Sequence, residues 1–156
     1  MIAIALDVNT LQTLDLSPVT MLIDQWHSTK IILEQENQIQ FQINFPREET
    51  DPRELSEIPE VRLWFVRLDS VYPWFPFLLD WKAGELARYA AMLVPHQFHR
   101  TEGIQYNPEA LEIFTMQKIF TLADWLKVQG IPSNFRLKSL AQLLGYELED
   151  SFLNQI

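Results

Sequence analysis

Two stretches in the first third of the chain alternate apolar and polar residues, which is typical of β-strands with one buried face. The first covers Ile2, Ile4 and Leu6, and in the second, residues 39–45, four apolar side chains alternate with three amides. A short β-branched run at residues 30–33 precedes the second stretch. We therefore predict a first strand and a hairpin that pairs residues 30–33 with residues 39–45.

An amphipathic helix is predicted between these strands, over residues 18–28. Its apolar positions follow the i, i+3, i+4, i+7 spacing of a one-faced helix. They are Val19, Leu22, Ile23 and Trp26. Ser17 and Pro18 supply the cap and the proline that often begin a helix.

The middle of the chain is predicted to be a loop followed by a strand. Residues 46–59 are polar, acidic and interrupted by prolines, which favours a solvated loop with one helical turn at most. The run Val61–Leu68 is apolar on both alternating sets, as in a strand covered on both faces. Arg62 and Arg67 interrupt this run near its ends, so one face would be open at the edges.

The C-terminal half is predicted to be helical, with capping signals before each helical pattern. The predicted helices cover residues 81–93, 108–129 and 133–144, with Asp80, Asn107 and Ser133 as their respective caps. The helix 108–129 is apolar around most of its circumference, which is typical of a central element.

This order of elements predicts an α+β fold in a single domain, residues 1–156. We expect a small, mainly antiparallel sheet with an N-terminal helix and a C-terminal group of about three helices. Residues 1–68 form the strand-rich, acidic part of this prediction, and residues 69–156 form the helix-rich part.

The segment Tyr72–Trp81 combines five aromatic residues with two prolines. Two prolines within four residues exclude an ordinary α-helix and disfavour a central strand. We predict a stiff, extended segment that packs on this protein's own core or on another protein. Leu78 and Trp81 are expected inside, and Trp74 and the turn at residues 95–100 outside.

Charge is distributed unevenly along the chain. Its net charge is −9, and residues 1–60 contain eleven acids but three bases, whereas the remaining residues contain ten acids and nine bases. Such acidity disfavours binding to nucleic acid or to an anionic membrane and favours a basic protein partner. A merely solvated acidic face is the simpler alternative.

Composition restricts the chemistry and the location of the protein. Because the chain has no cysteine, it forms no disulfide, thiolate metal site or thiol nucleophile, which suits a reducing compartment. The N-terminus lacks the basic region of a secretory signal and the Arg/Ser-rich composition of a transit peptide. The apolar stretch 108–129 contains charged residues, so we predict no membrane insertion.

No catalytic motif is present. The four glycines form no phosphate-binding loop, and no G-x-S-x-G motif occurs. His96 and His99 have H-x-x-H spacing with Glu102 nearby, but only His27 remains as a third imidazole. We predict no catalytic residue, no metal and no cofactor, and keep a small His-based metal-binding protein or enzyme as the alternative.

Residues 133–146 superficially resemble a DNA-binding helix-turn-helix. They offer only Arg136 and Lys138 before three acids reverse the local charge, whereas phosphate binding needs clustered bases. We therefore predict that this segment packs in the core and binds no nucleic acid.

Three motifs carry a resemblance to a known family. They are W-F-P-F-L-L-D-W-K-A-G-E-L-A-R-Y-A-A-M-L-V-P-H-Q-F-H-R-T-E-G-I-Q-Y-N-P-E-A-L-E-I-F, A-D-W-L-K-V-Q-G-I-P and L-A-Q-L-L-G-Y-E-L. Over residues 60–150 the chain resembles the chlororespiratory reduction six family. The resemblance implies a soluble, non-enzymatic assembly factor of the photosynthetic NAD(P)H dehydrogenase-like complex, and it supplies no catalytic residues.

The resemblance also implies a partner and a compartment. The implied client is the ferredoxin-like two-cluster iron–sulfur subunit of the hydrophilic arm, and the location is the cyanobacterial cytoplasm, or the chloroplast stroma for a processed form. A chain without thiols would not compete for the client's clusters. Because Trp, Tyr and Arg concentrate at interface hot spots, we predict a client-binding surface near the aromatic–proline segment. Its residues are Trp74, Phe75, Arg88, His96, His99, Arg100 and Tyr106.

Overall fold

Seven α-helices and two separate two-stranded sheets form an α+β fold in the computed structural model, which describes residues 1–156. The predicted fold class is therefore confirmed. The helices are α1 (Val8–Gln12), α2 (Ser17–Ser28), α3 (Pro59–Val71), α4 (Glu85–Leu93), α5 (Pro108–Gln129), α6 (Asn134–Leu143) and α7 (Asp150–Leu153). The strands are β1 (Ile2–Leu6), β2 (Ile39–Ile43), β3 (His96–His99) and β4 (Gly103–Tyr106).

The first sheet is parallel, so the predicted hairpin is wrong. Strands β1 and β2 pair in parallel from Ile2 opposite Ile39 to Leu6 opposite Ile43. The predicted partner strand at residues 30–33 is instead turn and the beginning of a 3₁₀ helix, Ile32–Gln35. Helices α1 and α2 lie between the two strands and carry the chain back across the sheet, as a parallel connection requires.

Residues 61–68 are helical rather than extended. Helix α3 begins at Pro59, at the position where a proline costs no hydrogen bond, and it runs to Val71. Its buried residues follow the i, i+3, i+4, i+7 spacing of a helix: Val61, Trp64, Phe65 and Leu68. Leu63 and Val66 are exposed, and these two apolar residues hide the helical pattern because they fill its polar face.

The aromatic–proline segment forms a short 3₁₀ helix, Phe75–Leu78, rather than extended chain. As predicted, no α-helix forms there, and Leu78 is fully buried. Trp81 is only partly buried, and its indole Nε1 donates to the Pro76 carbonyl oxygen at 2.8 Å. The end of this segment runs beside β2, where Gln38 N donates to Leu78 O at 2.9 Å.

The predicted C-terminal helices are present, with one different start. Asn107 Oδ1 accepts from Ala110 N at 3.0 Å and caps α5, as expected for an N-cap asparagine. Helix α4 begins at Glu85 rather than residue 81, because the turn before it ends at Gly84 with φ of 83°. None of the helices combines the length and apolar character needed to cross a bilayer.

One core of 33 buried residues takes side chains from β1 through α7. A charged network lies among them. The ammonium of Lys118 on α5 is 2.5 Å from Asp69 Oδ1 on α3 and 3.2 Å from the Pro73 carbonyl oxygen. Tyr89 on α4 donates its hydroxyl to the same Asp69 oxygen at 2.8 Å. This network therefore joins three helices and the aromatic–proline segment.

Candidate functional site

The segment after α4 is a β-hairpin rather than an irregular turn. Strands β3 and β4 pair antiparallel, with Phe98 opposite Ile104 and His99 opposite Gly103. The three residues between His99 and Gly103 form the loop, and Gly103 has φ of 76°. A φ in this left-handed region favours glycine, which has no Cβ to clash with the backbone. Gly103 lies between two short stretches, residues 96–99 and 104–106, in which large and polar side chains alternate. This pattern is a sequence signal for the hairpin, which was not predicted.

An apolar groove separates this hairpin from α4 and from the 3₁₀ helix Leu55–Glu57. We call it the hairpin groove; its volume is about 460 Å³. Its apolar lining comprises Leu55, Ala91, Met92, Phe98, Ile104 and Tyr106. Phe98 and Ile104 face each other across the strands, yet they remain 38% and 37% exposed. Two large apolar side chains therefore lie partly uncovered on one side of the groove.

The guanidinium of Arg62 connects the walls of the groove. Its Nη1 donates to the carbonyl oxygens of Ser56 at 2.7 Å and Ala91 at 3.0 Å, so it joins the 3₁₀ helix to α4. Burial lowers the pKa of Arg62 from its usual value. No carboxylate forms an ion pair with it, and the two backbone carbonyls accept from its Nη1 in place of water.

The imidazole of His96 joins the hairpin to the same wall. Its Nδ1 lies 2.8 Å from Val94 O, and its Nε2 lies 2.9 Å from the Ser56 hydroxyl. Arg62 Nη1 also lies 3.2 Å from Nδ1, and the tautomer of the ring sets which of these neighbours donates and which accepts. His96 is thus a positioning residue for the hairpin, and its ring nitrogens are occupied by this protein's own groups.

Two further predicted residues lie at the groove. Arg88 Nη1 donates to Phe41 O at 3.1 Å and to Glu85 Oε1 at 2.9 Å, which fixes its side chain and balances its charge. Tyr106 is half-buried beside His96, with ring centroids 5.8 Å apart in an edge contact. Burial raises the pKa of Tyr106.

A second depression adjoins the groove at Glu54, which lines both. We call it the acidic cleft; its volume is about 380 Å³, and its acids are Glu48, Glu49, Asp51 and Glu54. Hydrogen bonds from Arg53 to Asp51 lower the pKa of that carboxyl to about 2. The other three carboxylates form no ion pair in the structure. Arg47 and Arg53 also line the cleft, so its four acids face two bases and it retains an excess of negative charge.

Trp74 lies in a different part of the molecule. Its ring stacks on Trp125 of α5 with centroids 4.9 Å apart and planes 10° apart, and its edge contacts Tyr72 and His27. Trp125 is 17 positions after Pro108 on α5. At 1.5 Å per residue it lies about 25 Å along the helix from the end that adjoins the hairpin. Trp74 does not belong to the groove.

Phe75 was placed on the predicted interaction surface, and this placement is wrong. Its side chain is fully buried in the 3₁₀ helix, where it packs against Phe41 and Tyr89.

The predicted residues therefore separate into two places. Arg88 and Tyr106 line the groove, and His96 contacts its wall through the Ser56 hydroxyl. His99 and Arg100 are exposed at the tip of the hairpin. Trp74 lies apart from them. Sequence reasoning missed Phe98, Ile104, Met92 and Leu55, which form most of the apolar lining, and Arg62, which it placed on a strand.

The H-x-x-H pair does not form a common metal site in this structure. His96 and His99 are three positions apart on a strand, so their side chains point to opposite faces of the hairpin. No group of three or more His, Cys, Asp or Glu side chains has an arrangement that would hold a metal ion. The spacing would bring two imidazoles together only on a helix.

The fold and the groove define a small α+β protein with a preformed apolar surface beside an acidic one. The model of the Chlororespiratory reduction 6 family matches residues 6–155, so the chain belongs to that family. The family's name is consistent with a role in chlororespiratory reduction and in the NAD(P)H dehydrogenase-like complex. No solved structure matches the chain.

Proposed function

We propose that this chain is a non-enzymatic assembly factor that transiently binds an iron–sulfur subunit of the hydrophilic arm of the NAD(P)H dehydrogenase-like complex. Its location would be the cyanobacterial cytoplasm or the chloroplast stroma. Membership of the Chlororespiratory reduction 6 family carries this proposal.

Three features of the molecule support the proposal. The hairpin groove offers a small apolar surface to a protein partner. Such a surface is sufficient because an assembly factor must leave its client and therefore needs only a modest interface. The chain has no cysteine, so it does not compete for the client's clusters. Its net charge of −9 favours a basic partner surface.

We propose that the client binds at the groove and the hairpin tip. The predicted residues in this region are Arg88, His96, His99, Arg100 and Tyr106. Trp74 remains a candidate for a second contact, since its ring is only partly buried.

The test combines capture with genetics. The tagged chain is recovered from cells of a photosynthetic host, and its companions are identified by mass spectrometry; we expect the hydrophilic-arm iron–sulfur subunit. The purified subunit is then mixed with the purified chain to show direct binding. In cells that lack the chain, the hydrophilic arm should fail to accumulate. A normal level of assembled complex in those cells would refute the proposal.

A further inference from the structure

We propose that the hairpin groove and the acidic cleft together bind one extended segment of a partner polypeptide, with a large apolar side chain in the groove and a neighbouring Lys or Arg over the cleft. This inference rests on the proposed function in one respect, because it describes how a client would be held.

The apolar part of the site is preformed. Arg62 and His96 hydrogen-bond the 3₁₀ helix, α4 and the hairpin to one another, so the walls do not have to assemble when a ligand arrives. A preorganised site loses less conformational entropy on binding than a flexible one. A volume of about 460 Å³ lies within the range of small-ligand sites and accommodates large side chains.

The uncovered side chains define what the groove prefers. Phe98 and Ile104 are opposite neighbours on the hairpin and line the groove with Met92, which is nearly fully buried. An apolar side chain placed between them would remove apolar surface from water on both partners. The only charged residues in its lining are Arg88, which Glu85 already pairs, and Glu54 at its border with the cleft. The Arg62 guanidinium behind the wall is hydrogen-bonded to the carbonyl oxygens of Ser56 and Ala91.

The charge around the groove selects the residue next to that apolar side chain. Residues 46–60 contain six acids and two bases, and of these acids only Asp51 forms an ion pair. The exposed carboxylates of Glu48 and Glu49 border the cleft that meets the groove at Glu54. A Lys or Arg adjacent to the inserted apolar residue would therefore meet unpaired negative charge.

The hairpin favours an extended ligand over a helical one. Each of its strands has a single neighbour, so the outer edges of β3 and β4 carry unpaired backbone amides and carbonyls. An extended segment can pair with such an edge while its alternate side chains enter a pocket.

The test uses the full-length chain and an array of overlapping synthetic peptides, immobilised on a solid support, that together cover the sequence of the hydrophilic-arm iron–sulfur subunit. We expect binding at peptides in which a large apolar residue adjoins Lys or Arg. The best peptide is then measured in solution by fluorescence anisotropy, together with two derivatives: one with Glu replacing its Lys and Arg, and one with Ser replacing its apolar residue. Both derivatives should bind at least about tenfold more weakly.

Variants of the chain locate the binding. Phe98→Ala removes an apolar wall of the groove and should weaken binding about 10- to 30-fold. Ile104→Lys should also weaken binding, because the longer, charged side chain fills the groove and makes it polar. The double variant Glu48→Gln/Glu49→Gln should weaken binding about 3- to 10-fold at low salt and reduce its salt dependence. The four substituted side chains are exposed, so the variants should fold. Circular dichroism of each variant checks this.

Matched controls lie on α5. Ile113→Ala removes an exposed apolar side chain, and Glu112→Gln/Asp124→Asn removes two exposed negative charges. These variants should bind within about twofold of the parent chain. If Phe98→Ala and Ile113→Ala bind the peptide equally well, the peptide does not bind in the hairpin groove. If the basic peptide and its Glu derivative bind equally well, the acidic cleft does not select a Lys or Arg.

The two proposals fail separately. If the intact iron–sulfur subunit binds and that binding survives both groove variants, this inference is wrong while the proposed function stands. If peptides bind through the groove but cells without the chain assemble a normal hydrophilic arm, the proposed function is wrong while the groove remains a peptide site.

Discussion

Removal of Asp69 should destabilise the protein strongly, because it leaves the ammonium of Lys118 buried without its counter-ion. Lys118 is 1% exposed, and Asp69 is the one carboxylate within ion-pair distance. In an Asp69→Ala variant the ammonium would keep the Pro73 carbonyl oxygen at 3.2 Å and the ring of Phe114, whose centroid is 5.8 Å away. Tyr89 would also lose the acceptor of its hydroxyl.

The size of the effect follows from burial. Removing one partner of a buried ion pair costs about 3–5 kcal/mol, a large share of the roughly 5–15 kcal/mol that stabilises a typical domain. For a chain of this size the midpoint of thermal unfolding should fall by about 6–20 °C. Lys118→Met should cost less, about 1–3 kcal/mol. The side chain of Asp69 is 19% exposed and would keep the Tyr89 hydroxyl, so water can partly hydrate it.

Urea unfolding followed by circular dichroism and tryptophan fluorescence measures these costs by linear extrapolation. The double variant Asp69→Ala/Lys118→Met should lose less stability than the two single variants together, because the two side chains contact each other. The difference should exceed about 1 kcal/mol. Asp124→Ala removes an exposed acid from α5, the helix that carries Lys118, and should change the free energy of unfolding by at most about 0.5 kcal/mol. A cost below about 1 kcal/mol for Asp69→Ala, or strict additivity, would refute the reasoning.

Two further predictions concern Tyr89 and Asn107. Burial raises the pKa of Tyr89 well above its usual 10.0, so its contribution to stability is complete below that pH and is lost as the pH rises further. Tyr89→Phe should therefore flatten the decline of the urea midpoint above pH 10, and an unchanged slope would contradict this assignment. Asn107→Ala removes the cap of α5 and should cost about 0.5–2 kcal/mol in urea unfolding. Asn44→Ala, at an exposed asparagine without a side-chain hydrogen bond, is its control and should cost at most about 0.5 kcal/mol.

Local signals were sufficient where one helix or strand carried its own boundary residues. Helix α5 lies where Asn107, Pro108 and Gly130 place it, and the alternating residues of β2 are extended as predicted. These signals act within a few residues of the chain, through a capping hydrogen bond, a fixed proline φ or a left-handed glycine.

The prediction failed where apolar residues occupied both faces of an element. Helix α3 has the buried spacing of a helix, but Leu63 and Val66 on its exposed face produced the pattern of a covered strand. In the aromatic–proline segment the prolines correctly excluded an α-helix. They did not indicate that Phe75 turns inward, because that depends on the distant Phe41 and Tyr89.

The candidate site shows the same division. Tyr106 and Arg88, singled out by residue type and nearness in the chain, line the groove, and His96 contacts its wall through the Ser56 hydroxyl. Their part in binding stays a prediction. Leu55 gave no such signal, because it lies more than 30 residues before them in an acidic loop. Its place in the groove wall follows from the bonds of Arg62 to Ser56 and Ala91.

By itself, the sequence determined the acidic first half, the lack of thiols, four of the seven helices (α2, α4, α5 and α6) and the residues of the first sheet. Tertiary structure alone decided that β1 and β2 are parallel, that Lys118 is paired with Asp69 inside the core, and that an apolar groove meets an acidic cleft at Glu54. The physical reason is the separation of the interacting residues along the sequence. Helix caps and hydrophobic periodicity involve residues within one or two helical turns of each other. Strand direction, charge burial and groove walls depend on contacts between residues that are 30 to 50 positions apart.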